Sequence, residues 1–259
     1  MASRRSNKRK RRDRGRFGFL YKALSLVIIL VAVAAGCVVF FRVEEIAVSG
    51  AGKYTAQEII DASGVEKGDN LFLVGGSRTA QKIYSALPYV DEVNIRHALP
   101  DALVITVTER TPAVVVQGGE SWWIVDVKGK ILEEVASPQA AGVAEVSGLT
   151  ALLPAVGTTL AVEEAERFRL DSLMELLAAL FQRDMLKEVS AIDLTSAAEL
   201  SLVYDGRLTV KMPMSSEDYL ELTRVLAESM AQGIIQPNET GIVDLTLDQP
   251  RFIPETAGS

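Results

Sequence analysis

The hydrophobic pattern of the chain is dominated by one uninterrupted apolar run, ALSLVIILVAVAAGCVVFF, at residues 23–41. These 19 residues carry no charge. A helix of this length spans about 28 Å, close to the roughly 30 Å hydrocarbon core of a bilayer. The pattern therefore predicts a transmembrane helix over residues 23–41.

Two other interpretations of the run are weaker. A buried core helix would have a polar face, but this run offers only Ser25, Gly36 and Cys37. A cleaved signal peptide could end at residues 32–34, or a lipoprotein-type box at residues 34–37 could make Cys37 the acylated residue. Either cleavage would leave an apolar segment reaching Phe41 at the start of the mature chain, so we favour a retained helix.

Charge predicts the direction of this helix. Residues 1–22 contain ten Lys and Arg against Asp13 alone, whereas the whole chain has a net charge of −7. A short basic flank stays on the cytoplasmic side, so we expect a cytoplasmic N-terminus and extracytoplasmic C-terminal domains. The tail cannot bury a core and is predicted to be disordered, with attraction to anionic lipid as its second effect.

Residues 42–111 have the pattern of a small β-α-α-β-β domain. Thr55 and Glu58 have the spacing of a capping box at the first helix, and Pro88 ends the second. Alternating apolar and polar residues then predict two strands over residues 90–97 and 102–109.

Residues 112–254 predict a second domain, mixed α/β and dominated by an antiparallel sheet, before a short tail at 255–259. Apolar residues recur at helical spacing within residues 163–187, and a second helix is predicted over 215–230. Trp122 and Trp123 could form a binding patch, but neighbouring strand residues face opposite sides, which favours one core and one surface side chain. The predicted fold class is therefore α+β with one N-terminal transmembrane helix.

Short motifs follow the apolar run in a fixed order. They comprise Val43, Ile46, Val48 and Gly50; Asn70 and Leu71; Leu87, Pro88 and Val90; Val93, Ile95 and Pro100; Val107, Glu109, Arg110 and Pro112; and Asp126 with Gly129. In this order the chain resembles the FtsQ/DivIB family of bacterial cell-division proteins. The resemblance implies a POTRA (polypeptide-transport-associated) domain beside the membrane and a family-type β domain after it.

The sequence offers no catalytic constellation. His97 is the only histidine and Cys37 the only cysteine, so neither a His/Cys metal cluster nor an internal disulfide can form. Gly50, Gly52 and Lys53 lack the spacing of a P-loop. We therefore expect no enzyme activity, no cofactor, no small-molecule substrate and no nucleic-acid partner.

The resemblance also implies a partner site. The family's β domain receives an FtsB/DivIC-type protein near its last strand, and an FtsL-type protein joins the same complex. On this chain the site maps to an edge strand, with Pro250 expected to interrupt pairing beyond it and a Thr246→Pro change expected to remove a ladder donor. The implied residues are Ile242, Val243, Asp244, Leu245, Thr246, Leu247 and Phe252.

An alternative is that Val243, Leu245 and Leu247 are simply core-facing, and both roles are compatible, because strand addition uses the backbone. The combined prediction is a non-enzymatic single-pass scaffold of the division septum in the cell membrane. The alternative is a POTRA-containing envelope transport or assembly chaperone, and an envelope enzyme is the third class.

Overall fold

The computed structural model describes residues 15–215, 218–247 and 249–255. The predicted disordered tail lies outside these residues up to position 14. Two compact units make up the chain, the first containing residues up to Lys82 with Val93–Thr106, the second containing Ile83–Glu92 and the residues from Val107 onward.

Helix α1 (Gly15–Phe40) contains the apolar run as far as Phe40 and begins eight residues before it, at Gly15 instead of Ala23. Its segment Gly18–Phe40 is long enough and apolar enough to cross a membrane. The apolar side chains from Phe19 to Phe40 are exposed nearly all round the helix, with no face buried in protein. A buried core helix is therefore not what these residues form.

A small sheet follows, in the predicted order strand, helix, helix, strand, strand. Strand β1 lies parallel to β3, which stands between β1 and β2. The Thr55 hydroxyl accepts the amide of Glu58, whose carboxylate accepts the amide of Thr55 (2.8 Å), so the predicted capping box is confirmed. The elements are β1 (Glu45–Ser49), α2 (Ala56–Ser63), α3 (Gly76–Ala86), β2 (Val90–Ala98) and β3 (Ala102–Glu109).

The second unit is built on a nine-stranded sheet with the order β12-β11-β10-β9-β8-β7-β4-β5-β6. Most neighbouring strands are antiparallel, but β7 lies parallel to both β4 and β8, and β11 to β10. The elements are β4 (Pro112–Gly118), β5 (Ser121–Asp126), β6 (Ile131–Val135), β7 (Ala144–Thr150), α4 (Arg167–Gln182), β8 (Val189–Asp193), β9 (Glu199–Tyr204), β10 (Leu208–Pro213), α5 (Tyr219–Ala231), β11 (Gly241–Asp244) and β12 (Arg251–Pro254).

Helices α4 and α5 provide side chains to one core with the sheet. Leu173, Leu176, Leu177 and Leu180 are fully buried there, and each such burial contributes about 2 kcal/mol relative to exposure. The stripe predicted for residues 163–187 therefore packs on the sheet. Strands β9 and β10 alternate buried and half-exposed residues, so the opposite sheet face is left open around them.

A buried carboxylate holds the turn between β5 and β6. Asp126 is only 1% exposed and accepts the backbone amides of Lys128 and Lys130. The Arg110 guanidinium lies 2.7 Å from this carboxylate and 2.9 Å from that of Asp91. The Lys128 ammonium also binds the Asp91 carboxylate (2.7 Å), so two cations and two carboxylates compensate one another in this cluster. The motif residue Gly129 joins it through its amide, which donates to the Asp126 carbonyl (3.0 Å).

Candidate functional site

The outermost strand on one side of the large sheet is β12, not the strand predicted from the sequence. Strand β11, which contains the predicted Ile242, Val243 and Asp244, is paired on both sides, parallel to β10 and antiparallel to β12. The edge-strand position predicted for residues 242–247 is therefore wrong in this structure. Pairing continues beyond Pro250, and Phe252 is the one predicted residue that lies on the outermost strand.

Backbone geometry determines what this edge offers. Ile242 pairs with Ile253, and the amide of Glu255 donates to the carbonyl of Thr240 (2.8 Å). The backbone groups of Ile253 and Glu255 therefore point toward β11. Because backbone direction alternates along a strand, the amide and carbonyl of Phe252 point outward. Pro250 and Pro254, which share that outward side, have no N–H. Within residues 250–254 the open edge thus has one donor, on Phe252.

The predicted side chains divide between core and surface. Val243 and Leu245 are buried, as the core-facing interpretation expects, and Phe252 packs partly against the same core. Ile242 and Leu247 are exposed, which that interpretation did not expect of Leu247. The backbone amide of Thr246 donates to the Asp244 carboxylate (2.9 Å), so a Thr246→Pro change would break a turn contact and not a ladder bond.

Asp244 stabilises the turn that follows β11. Its Oδ1 accepts both the hydroxyl (2.6 Å) and the amide of Thr246. These two hydrogen bonds, the hydroxyl bond first, lower the pKa of Asp244, and Lys211 and Arg251 add smaller Coulomb contributions. The carboxylate is therefore held ionised at neutral pH beside the open edge.

The uncovered face of the sheet carries an apolar row that ends at this edge. Val203, Thr209, Ile242 and Ile253 are register neighbours on four adjacent strands. Ile242 is 37% exposed and Ile253 46% exposed. Two exposed isoleucines beside an open strand edge form an apolar surface that an extended polypeptide could cover. We call Phe252, Ile242 and Ile253 the open-edge patch.

A charged row lies next to the apolar one. Lys211 pairs in register with Asp244, and Asp244 with Arg251. The Lys211 ammonium binds the Glu199 carboxylate at 2.7 Å, and this bond is the main cause that raises the pKa of Lys211. The alternating charges compensate within the row, so the open-edge patch is apolar with a polar border.

Ile253 is the patch residue that sequence reasoning missed. The signal was the segment Arg251–Pro254, which is extended and half apolar. Pro250 obscured it, because a proline lacks a ladder donor. In the structure Pro250 precedes the strand, where its missing N–H costs no pairing.

The other predicted candidates do not gather into a site. Trp123 is buried and its indole donates to the Gly118 carbonyl (3.2 Å), while Trp122 is half-buried. Within residues 15–215, 218–247 and 249–255, no group of three or more His, Cys, Asp or Glu could hold a metal ion. The open-edge patch is therefore the strongest candidate among the described residues.

The fold defines the chain as a POTRA protein with an N-terminal apolar helix and a large C-terminal sheet. A family model, the POTRA domain of FtsQ type, matches residues 41–110. The cell division protein FtsQ of Corynebacterium glutamicum is 30% identical over 174 residues, which cover 64% of this chain and 77% of the relative.

Two further relatives agree. The cell division protein DivIB of Clostridium acetobutylicum is 25% identical over 207 residues, 80% of each chain. FtsQ of Geotalea daltonii is 27% identical over 200 residues, 74% of this chain and 70% of the relative. The chain belongs to the FtsQ/DivIB family of cell-division proteins, and the family and fold class predicted from the sequence are confirmed.

Proposed function

We propose that this protein is a non-enzymatic scaffold of the division septum, anchored by α1 and docking partner proteins outside the cytoplasm. The partners are FtsB/DivIC-type and FtsL-type division proteins. The observation that carries the proposal is the open-edge patch, an unpaired strand edge flanked by exposed Ile242 and Ile253 in a chain of a cell-division family.

Membrane anchoring rests on α1 and its flank. The segment Gly18–Phe40 has a length of roughly 34 Å as a helix, enough for the hydrocarbon core. Ten basic residues within positions 1–22 favour a cytoplasmic N-terminus under the positive-inside rule. The large sheet then lies on the extracytoplasmic side, in the single-pass topology that septal docking requires.

Docking follows from strand addition. An extended partner segment laid along β12 can donate to the outward carbonyl of Phe252 and accept from its amide. Its side chains can cover Ile253 and Ile242, which removes apolar area from water. Because Pro250 and Pro254 offer no donors, we assign most of the affinity to this apolar contact.

Two isoleucine substitutions, one inside the open-edge patch and one outside it, test the proposal. Ile253→Glu, measured on the full chain in lipid nanodiscs, should weaken binding of the organism's own FtsB/DivIC-type protein at least about tenfold, or about 1.4 kcal/mol. The physical reason is that a covered carboxylate without a partner is costly. The matched control is Ile234→Glu, at an exposed isoleucine outside the patch, which should bind as wild type.

Equal affinities for wild type and Ile253→Glu would contradict the docking site. Mid-cell localisation of a fluorescent fusion provides a separate readout of the septal role. A uniform envelope signal would favour the general envelope chaperone instead.

A further inference from the structure

The loop that follows β1 and α2 reaches back to the end of the apolar helix. The Asn70 side-chain amide donates to the carbonyls of Val38 (3.1 Å) and Cys37 (3.4 Å). The amide of Leu71 donates to the carbonyl of Phe41 (2.9 Å). The last carbonyls of a helix have no partner within it; Asn70 satisfies that of Val38 and shares that of Cys37 with the backbone amide of Phe41 (3.2 Å). Residues 70–71 are therefore level with the last turn of α1.

Two large apolar side chains project from this loop. Phe72 is 54% exposed and Leu73 is 76% exposed. The Phe72 ring meets the Phe41 ring edge to face, with 5.0 Å between centroids. Val39 and Phe40, on the helix turn beside them, are exposed as well. The loop thus extends the apolar surface of α1 sideways at its C-terminal end.

Basic side chains lie next to the loop. Leu73 shares a cavity of about 250 Å³ with Arg78, Lys82 and Asp69. The Asp69 carboxylate already accepts the amide of Glu66 (3.0 Å). Exposed apolar groups with adjacent Lys and Arg are the combination that binds the headgroup region of a bilayer, since the apolar part enters the acyl boundary and the cations meet lipid phosphates.

We infer that residues 70–74 form a membrane-contacting loop, which inserts Phe72 and Leu73 into the outer interface of the bilayer crossed by α1. The inference rests on the proposed membrane anchoring and adds a second contact with lipid. The occupant is the lipid surface because the loop is continuous with the apolar surface of the helix end. Asn70 links the loop to the end of α1, so helix and loop enter the bilayer together. The compact unit that contains them is thereby held in a defined orientation to the membrane.

The sequence makes the experiment direct, because Cys37 is the only cysteine. In a Cys37→Ala background, single cysteines are introduced by Leu73→Cys, Val39→Cys or Ala51→Cys and labelled with a nitroxide. The full chain is reconstituted in phosphatidylcholine vesicles containing one quarter phosphatidylglycerol. Power saturation then compares collision of each label with oxygen and with a water-soluble nickel chelate.

Val39 reports the helix, and Ala51 is an exposed position after β1 that serves as the aqueous reference. The collision rate with the nickel chelate should be similarly low for the labels at positions 73 and 39. Both rates should be at least about fivefold lower than the rate for the label at position 51. Nickel access at 73 equal to that at 51, with position 39 still protected, would overturn the loop insertion alone. Nickel access at position 39 would overturn the membrane anchoring itself. All three positions are solvent-exposed in the protein, so labelling leaves the core intact.

Discussion

The two outermost strands of the nine-stranded sheet, β6 and β12, differ in how their outer sides are covered. At the β6 end, the amide of Ile131 donates to the carbonyl of Thr158, and the Ile131 carbonyl accepts the amide of Gly157, each at 2.8 Å. A bridge between Lys130 and Thr159 continues this cover. At the β12 end, no described strand pairs with the outer side. The start of the β6 edge is therefore covered by residues 157–159 of the same chain, whereas no described strand covers β12.

Side chains repeat the contrast. Glu134 is exposed on β6 and Glu133 accepts the hydroxyl of Tyr89 (2.8 Å), and charges of this kind discourage pairing with another chain. On β12 the exposed residues are Arg251, Ile253 and Pro254, of which Ile253 is the large apolar one. An open strand edge is a hazard for aggregation, and the proposed docking gives the β12 edge a use that covers it. The prolines at 250 and 254 limit that use to a short contact.

The largest expected effect concerns the buried cluster that holds the β5–β6 turn. Arg110→Ala leaves the buried Asp126 carboxylate without its cation and should lower the free energy of unfolding by about 3 kcal/mol. Urea unfolding of the full chain in nanodiscs measures it. Both tryptophans of the chain, Trp122 and Trp123, lie on β5, the strand that ends at Asp126, and report its unfolding by fluorescence.

Lys128→Ala is the matched control from the same cluster. The Lys128 side chain is 61% exposed and its ammonium binds the Asp91 carboxylate at the surface, so its loss should cost less than about 1 kcal/mol. If both variants are equally stable, the buried cluster does not anchor the β5–β6 turn.

A smaller effect tests the single outward donor of the open edge. Phe252→Ala and Phe252→Pro both remove the ring, but only proline removes the outward N–H, because the bonds to β11 come from residues 251, 253 and 255. Phe252→Pro should bind the FtsB/DivIC-type protein about fivefold more weakly than Phe252→Ala, or about 1 kcal/mol.

Identical affinities for these two variants would mean that the partner does not pair with the β12 backbone. Circular dichroism of both variants verifies that the sheet is retained before affinities are compared.

The smallest effect is a pH dependence at the end of β11. The folded protein has a lowered pKa at Asp244, so its carboxylate adds stability above the ordinary value of 3.8, and this contribution is lost as the pH falls through the folded pKa. Asp244→Asn should therefore lower the free energy of unfolding at about pH 7 by less than about 1 kcal/mol, and its difference from wild type should shrink as the pH falls below 3.8. A wild-type advantage that grows toward acid pH would refute this assignment.

Local patterns predicted much of the fold. The capping box depends on two residues three positions apart, Thr55 and Glu58, and the apolar stripe of α4 depends on helical periodicity. Boundaries were less accurate. Helix α4 is limited to Arg167–Gln182 within the predicted 163–187, and α5 begins after its cap Asp218 rather than at Ser215. Helix ends depend on local caps and turns, which periodicity does not encode. The Asp218 carboxylate accepts the amide of Glu221 at the start of α5, whereas α4 begins without a side-chain cap after a 3₁₀ turn at Glu164–Glu166.

The position of the open edge in the large sheet could not be predicted from the sequence. Val243 and Leu245 alternate with Asp244 as any half-buried strand does, and that pattern is the same for an inner strand and an edge strand. Only the pairing of β12 with β11 makes Phe252 and Ile253 outermost. Similarly, the exposed Phe72 and Leu73 gain meaning only because Asn70 brings them beside the last turn of α1.

By itself the sequence determined the apolar helix, its basic flank, the order of elements and the family, because these depend on composition and short spacing. The tertiary structure decided which strand is outermost, which carboxylate is buried and which loop meets the end of the helix. Those features depend on hydrogen bonds between residues far apart in the chain, and a one-dimensional pattern of apolar and polar positions contains no record of them.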